Sequence, residues 1–299
     1  MIIYPVIIFA YNRPNHLNSL LESLQRNDFS NETDVFLFVD KCDNEKTHNL
    51  LLETANYKWN FKSLNLTVHE KNIGLKNNIL FGLNTIFENH EATIVLEDDL
   101  ILDKYFLEYM NLSLNKYKNK KRVFHVNGWS YPQIFSRQKS NFIGSLATPW
   151  GWGTWKDRWE NFDSEFQNTD LIANESRKNM KKFNFYNLVK FSGQLNANMT
   201  GRISTLDIFW YQYIFLNNGL TIFPKFSLVS NSGFDGSGMH CGISNKYEYK
   251  LKNKPLGIFN VSLRKDWINQ ISTYYFYFNL KVKDFFSYHL SKFGYSQSN

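Results

Sequence analysis

The sequence is poor in cysteine, with only Cys42 and Cys241 among 299 residues. They form neither a CxxC pair nor the ligand spacing of a zinc site, so free thiols in a reducing compartment fit better than a disulfide scaffold. The apolar residues 1–9 lack a basic leader and a small-residue cleavage site, and they are too few to span a bilayer. The simpler interpretation is a first β-strand, which predicts a cytoplasmic protein.

The chain also lacks internal repeats and low-complexity linkers, so we expect no independent domains. With 43% hydrophobic and 17% aromatic residues, it is able to bury a sizeable core. Its 34 Lys and Arg against 27 Asp and Glu give a net charge of +7, which suits an anionic partner such as a nucleotide, a phospholipid surface or nucleic acid. The cations are scattered rather than clustered, which argues against nucleic acid.

Apolar runs and helical periodicity alternate in the first half of the chain. Strands are predicted at residues 3–10, 34–39, 64–69 and 93–96, with helices from Pro14 onward, at 44–57 and at 75–89. This order predicts a mostly parallel sheet with right-handed crossovers.

The second half is less regular. It predicts helices at 105–117, 170–195 and 206–216, strands at 122–126, 220–223 and 227–229, and loops at 149–155 and 232–242.

Polar side chains follow the predicted strands at the point where each one ends. Ligands of parallel sheets bind beyond the carboxyl ends of the strands, so these side chains are expected to converge on one site. They are Asn12, Asp40, Asn72 and the triplet Glu97, Asp98 and Asp99.

The acidic triplet is the most informative of these features. Three adjacent carboxylates repel one another and are costly to desolvate. A divalent cation removes both problems, and oxygen-rich clusters suit Mg²⁺ or Mn²⁺, which would in turn hold a diphosphate. The alternative is a solvated strand-to-helix turn in which Asp99 or Asp103 caps the next helix.

Several segments, in order, resemble the GT-A-fold nucleotide-sugar glycosyltransferases, in particular the N-acetylglucosaminyltransferase I type and its bacterial relatives. They are residues 6–14 (VIIFAYNRP), 39–43 (VDKCD), 97–100 (EDDL), 103–109, 126–129 (VNGW) and 149–152 (PWGW). The resemblance implies an α/β fold of the GT-A type, with a Rossmann-like, mostly parallel sheet and a helical, loop-rich C-terminal acceptor part. It divides one domain into a nucleotide-sugar-binding half at 1–127 and an acceptor-binding and catalytic half at 128–260. The aromatic, basic extension at 261–299 lies outside the resemblance.

The resemblance also implies roles for individual residues. Arg13 would contact the diphosphate, Asp40 the uracil or ribose, and Asp99 the metal. Glu97 and Asp98 would bind sugar or ribose hydroxyls or metal-bound water. The full set of donor-binding candidates is Ala10, Asn12, Arg13, Asp40, Asn72, Lys76, Glu97 and Asp98. For Lys76 the favoured alternative is an ordinary surface residue in the first turn of a helix.

Asp207 falls where the resemblance places the catalytic base. One base and no covalent nucleophile would mean inversion through an oxocarbenium-like transition state. The alternative is a helix-start carboxylate interacting with the helix dipole.

Two further features are open to a functional or a structural interpretation. His240, at the end of a glycine-rich loop, would complete the metal shell or lie exposed in solvent. Trp129, Trp150 and Trp152 would stack on sugar rings or pack in the core.

Aromatic residues and cations mix in the tail from residue 267 onward. Such a segment suits peripheral contact with an anionic membrane, a terminal helix packed on the body, or a dimer contact.

The sequence therefore favours a metal-dependent inverting glycosyltransferase. It would act on a nucleotide-sugar donor, for which the resemblance alone implies a UDP-sugar, and on a glycan or lipid-linked acceptor of bacterial surface polysaccharide synthesis. The alternatives are a sugar nucleotidylyltransferase, whose Gly-x-Gly signature after the first strand is absent, and a non-catalytic carbohydrate-binding module.

Overall fold

The computed structural model describes residues 1–133, 141–162, 177–236, 250–257 and 267–292. Among these residues, eight strands form one sheet in the order β3-β2-β1-β4-β8-β6-β9-β7. Strands β7 and β8 run antiparallel to the other six, which confirms the prediction of a mostly parallel sheet. The strands are β1 (Val6–Ala10), β2 (Asp34–Val39), β3 (Ser63–Val68), β4 (Ala92–Glu97), β6 (Val123–Asn127), β7 (Asn141–Gly144), β8 (Trp152–Trp155) and β9 (Leu220–Pro224).

A second, two-stranded sheet pairs β5 (Leu100–Leu102) with β10 (Val229–Asn231). Sequence reasoning missed β5, which begins one residue after the acidic triplet, and it placed β10 two residues too early. The pairing aligns Asn231 with Leu100 and so holds the segment after β10 against the end of β4.

Helices cover the sheet, and their starts follow local rules. Helix α1 begins at Pro14, and its spacing of Leu17, Leu20, Leu21 and Leu24 predicts one apolar helical face. The structure confirms this, since all four leucines are completely buried. Asn44 caps the next helix by accepting a bond from the Thr47 amide at 2.9 Å. The helices are α1 (Pro14–Gln25), α2 (Glu45–Ala55), α3 (Leu75–Asn89), α4 (Phe106–Tyr117), α5 (Lys156–Trp159), α6 (Arg177–Phe183), α7 (Phe191–Met199), α8 (Asp207–Leu216) and α9 (Trp267–Lys292).

The loop predicted at 149–155 is wrong for residues 152–155. These residues form β8, which lies inside the main sheet between β4 and β6. Trp152 aligns with Val95 and Gly153 with Ile94. A Cβ atom at Gly153 would lie 3.0 Å from the Thr93 carbonyl oxygen, so glycine permits the close pairing. The continuous helix predicted at 170–195 is also wrong, since α6 and α7 are separate; residues 163–176 lie outside the described part of the chain.

Trp129 is a core residue, which corrects its interpretation as a sugar platform. Only 1% of its surface is exposed, and its ring packs edge to face on Tyr131, Trp150 and Phe276 at centroid distances of 4.7, 5.1 and 6.2 Å. These neighbours leave no open ring face for a sugar.

The tail forms α9 and packs on the body. The hydroxyls of Tyr277 and Tyr131 are 2.9 Å apart, and Lys281 Nζ donates to the Asn187 carbonyl at 3.1 Å. The other side of the helix exposes Ile271, with 45% of its surface accessible. Of the described helices, none is long and apolar enough to cross a membrane.

Trp129→Ala should lower the free energy of unfolding by about 3–5 kcal/mol, because it leaves a large cavity among aromatic rings. Urea denaturation followed by circular dichroism measures this loss. Tyr57→Ala is the control; Tyr57 is 66% exposed and should change stability by less than about 0.5 kcal/mol. A Trp129→Ala protein as stable as wild type would contradict the core assignment.

Candidate active site

Arg13 and two residues of the acidic triplet form an ion-pair cluster where β1 and β4 end. Arg13 Nη2 lies 2.5 Å from Asp98 Oδ1 and 3.1 Å from Asp99 Oδ2. The Tyr11 amide donates to Asp98 Oδ2 at 3.4 Å. Parallel pairing of β1 with β4 places Phe9 beside Glu97, so the turn after β1 meets the triplet directly.

Burial shifts the ionisation of this cluster. Desolvation raises the pKa of Asp98 to about 6, although Arg13 opposes the shift. Desolvation, followed by repulsion from Asp99, Asp207 and Asp98, raises the pKa of Glu97 well above its usual value. Burial alone would lower the pKa of Arg13, but the attraction of Asp98 and Asp99 outweighs it and the pKa is raised. The site therefore favours additional positive charge.

The two carboxylate oxygens of Asp99 differ in their contacts, because Arg13 contacts only Oδ2. The Oδ1 atom is buried and has no hydrogen-bond partner among the described residues. The Asp99 carbonyl accepts bonds from both the amide and the hydroxyl of Ser232, each at 2.8 Å, which fixes the residue in place. A Cβ atom on Gly233 would clash with Asp99 Oδ2, so a larger residue at this position would have to displace the carboxylate that Arg13 holds. Sequence reasoning missed Gly233; the four glycines of residues 232–242 are the only signal that pointed to it.

Asp99 Oδ1, unpartnered among the described residues, suits the coordination of a divalent cation. Mg²⁺ is commonly held by one or two carboxylates, with phosphates and water completing its shell, and Asp99 Oδ1 is a candidate for such a ligand. Within the described ranges, no group of three or more His, Cys, Asp or Glu residues forms a site made by protein alone. His240 lies outside these ranges, so its role as a ligand stays a prediction.

Two adjoining cavities meet at the cluster and share Leu75, Glu97 and Asp99. The larger has a volume of about 480 Å³. Seven of the eight predicted donor-binding residues line it, namely Ala10, Asn12, Arg13, Asp40, Asn72, Glu97 and Asp98. The smaller cavity, of about 170 Å³, is lined by Trp150, Trp152, Trp210, His125 and Asp207.

Lys76 is the donor-binding candidate that the structure does not bring to the cavity. Its Nζ lies 4.8 Å from the centroid of the Phe209 ring, so the residue is a surface cation resting on an aromatic face. This corrects its interpretation as a phosphate contact.

Asp40 braces the loop before α3. Its carboxylate accepts bonds from the amides of Ile73 at 2.9 Å, Gly74 at 2.8 Å and Lys41 at 3.0 Å. Gly74 has a φ of +79°, a conformation that glycine adopts readily. Asp40 therefore shapes the wall of the larger cavity.

Asp207 opens α8 at the edge of the smaller cavity. Gln194 Nε2 donates to its Oδ2 at 3.3 Å. Trp150 is half-buried and lines the cavity, whereas Trp152 is only 5% exposed and stacks on His125 at 5.0 Å.

His125 is a further residue of this cavity that sequence reasoning missed. Its Nδ1 accepts a bond from Trp210 Nε1 at 3.1 Å, and its Nε2 lies 3.3 Å from Asn127 Oδ1. Burial lowers the pKa of His125 to about 4, so the ring is neutral and donates from Nε2. His125 thereby contacts both Trp152 and Trp210 and holds them in the wall of the smaller cavity.

No family model and no curated protein matches the sequence. Among solved structures, residues 1–349 of S. aureus TarS are similar to this chain at a TM-score of 0.45 and 16% identity, covering 78% of this chain and 61% of that one. The same protein in complex with UDP-GlcNAc has a TM-score of 0.38 and 17% identity, and the match covers 75% of this chain and 55% of that one.

The mannosyltransferase PcManGT from Pyrobaculum calidifontis, in complex with GDP-Man and Mn²⁺, has a TM-score of 0.42 and 12% identity. The match covers 72% of this chain and 68% of that one. The chain thus spans less than two thirds of the TarS chains it matches. All three TM-scores lie below 0.5, and they do not place the chain in a family.

Asp98→Asn should change how stability depends on pH. A native pKa of about 6 lies above the unfolded value of about 3.9, so the native protein holds this proton more tightly and loses stability as the pH rises between these values. Asparagine cannot titrate, although its oxygen still accepts a bond from Arg13. Between about pH 4 and pH 6, the free energy of unfolding should therefore fall more steeply in wild type than in the variant.

Urea midpoints across this pH range measure the difference between the two proteins. Glu53→Gln, which removes an exposed carboxylate of α2, should follow the wild-type curve. Parallel curves for wild type and Asp98→Asn would contradict the ionisation of Asp98 described above.

Proposed function

We propose that this protein is a metal-dependent inverting glycosyltransferase that moves a sugar from a UDP-sugar to a hydroxyl of a glycan or lipid-linked acceptor. The observation that supports this most is the division of the site. A cavity containing Arg13 adjoins one containing Asp207, and Glu97 and Asp99 form part of both. Such a division suits a donor on one side and an acceptor hydroxyl on the other.

The larger cavity suits the nucleotide. It lies beyond the carboxyl ends of β1 and β4, where parallel sheets bind ligands, and its volume is in the usual range for small-molecule sites. Arg13 partly neutralises the charge of two carboxylates there, and its guanidinium would also contact the diphosphate. Asn72 and the loop braced by Asp40 would contact the ribose or the base.

Asp99 Oδ1 would hold Mn²⁺ or Mg²⁺, with His240 as a second candidate ligand. When bound, the ion supplies charge stabilisation for the departing diphosphate. Arg13 keeps the Asp99 carboxylate oriented, and Gly233 leaves the space that this orientation needs.

Asp207 is the candidate general base. It would take the proton of the acceptor hydroxyl as the hydroxyl oxygen attacks the anomeric carbon, a step typically worth about 10²–10⁴-fold. Gln194 orients the carboxylate through its bond to Oδ2. Direct displacement with one base and no covalent intermediate inverts the configuration. Glu97 would bind a sugar hydroxyl, and Trp150 and Trp152 would form the apolar wall of the acceptor subsite.

A cytoplasmic location and a role in surface polysaccharide synthesis belong to the same proposal. The outer side of α9 exposes Ile271, Tyr274 and Phe278, which suits contact with the surface of a membrane that carries a lipid-linked acceptor.

Incubation with UDP-, GDP- and CMP-sugars tests the reaction. With Mn²⁺ present, we expect release of a nucleoside diphosphate that EDTA abolishes.

Asp207→Asn should bind the donor normally and lose about 10²–10⁴-fold in transfer, since it lacks the base, while Glu53→Gln should remain fully active. Normal transfer by Asp207→Asn would remove it as the base. Pyrophosphate-dependent formation of a nucleoside triphosphate would instead indicate a nucleotidylyltransferase, and stabilisation by glycans without turnover would indicate a binding module.

A further inference from the structure

A third cavity, of about 400 Å³, lies at the β7 edge of the sheet, between the C-terminal ends of α6 and α8 and the start of α9. None of the residues that line it lines either cavity of the candidate active site. Helix α8 connects the two regions, because Asp207 begins it at the active site while Phe215 and Leu216 line the remote cavity. Ten helical residues place them about 15 Å apart.

The lining of this remote cavity is rich in side-chain amides. Asn179, Asn218 and Gln270 contribute three, Lys182 adds a cation, and Tyr186 adds an aromatic ring. An amide both donates and accepts hydrogen bonds, as a sugar hydroxyl does. An aromatic ring offers an apolar face to the C–H side of a pyranose. No carboxylate is among the described residues of the lining, so acidic sugars meet no repulsion there.

The backbone at the rim of the cavity is strained at and around Tyr186. Phe185, Tyr186 and Asn187 have φ values of +44°, +58° and +66°. The amides of Phe185 and Tyr186 bond to the carbonyls of Lys182 at 2.9 Å and Lys181 at 2.7 Å, which is the helix-ending arrangement that normally uses glycine.

Burial compensates this strain for one of the two aromatic residues. Phe185 is only 4% exposed and packs on Tyr277 at 5.8 Å. Tyr186 is 47% exposed, so it gains far less from burial and stays in the unfavourable conformation at the mouth of the cavity. Strain of this kind at a cavity is typical of a binding site.

We propose that this cavity binds a glycan segment, with Tyr186 as its stacking platform and the three amides as its hydroxyl partners. If the proposed function holds, the segment is part of the acceptor, about 15 Å from the reacting hydroxyl along α8. The cavity then favours long acceptors over short ones. The binding itself requires neither donor nor metal.

Calorimetric titration of the full chain with chitohexaose, maltohexaose and cellohexaose, without nucleotide or metal, tests the proposal. We expect at least one of them to bind wild type. Tyr186→Asn removes the ring but suits a positive φ, so the variant should melt at the same or a higher temperature and bind the sugar about tenfold more weakly. Tyr57→Asn, at an exposed tyrosine outside the cavity, should bind as wild type does, and both variants should bind UDP normally.

Failure of all three hexaoses to bind wild type would overturn the proposal, and so would undiminished binding by Tyr186→Asn. These results are separate from nucleotide release. Sugar binding that depends on Tyr186 in a protein without turnover would uphold the glycan site while removing the glycosyltransferase.

Discussion

The ion pair between Arg13 and the carboxylates of Asp98 and Asp99 is the interaction on which the rest of the site depends. Buried carboxylates at this density are costly unless a cation is held among them, and removing the cation would leave uncompensated buried charge. Arg13 supplies that charge from the turn after β1 while the carboxylates follow β4, so the ion pair also joins these two neighbouring strands at their carboxyl ends. Arg13 contacts Asp99 through Oδ2 and leaves Oδ1 without a hydrogen-bond partner among the described residues, and this is the oxygen that the proposed function assigns to a divalent cation.

The small sheet of β5 and β10 explains how this geometry is maintained. It carries Ser232 and Gly233 to Asp99, where Ser232 donates two bonds to the carbonyl and Gly233 fits against the carboxylate. On the other side, the insertion of β8 beside β4 brings Trp152 to the wall of the second cavity, where His125 stacks on it. Both cavities thus arise from strands that pair with the end of β4 or follow it.

The sequence was informative where local patterns decide the structure. The leucine stripe of α1 and the polar residues at strand ends follow from periodicity and the rule for ligands of parallel sheets, and seven of the eight donor-binding candidates line one cavity.

Tertiary contacts decided the features that the sequence did not predict. Glycine and tryptophan at 149–155 indicate a loop locally, but pairing on both sides makes β8. The glycines that flank Trp150 favour it over Trp129 as a cleft residue, and Trp150 does line a cavity, whereas only the tertiary packing of three aromatic neighbours shows how fully Trp129 is buried. The partners of Arg13, the close approach of Gly233 and the strain at Tyr186 depend on distant segments and leave no local pattern.

The affinity of UDP with and without Mn²⁺, measured by calorimetry in wild type and Asp99→Asn, tests the central claim most directly. If Asp99 Oδ1 holds the ion that bridges to the diphosphate, Mn²⁺ should strengthen UDP binding to wild type by about tenfold or more and leave the variant unchanged. Equal strengthening in both proteins, or none in wild type, would contradict the account.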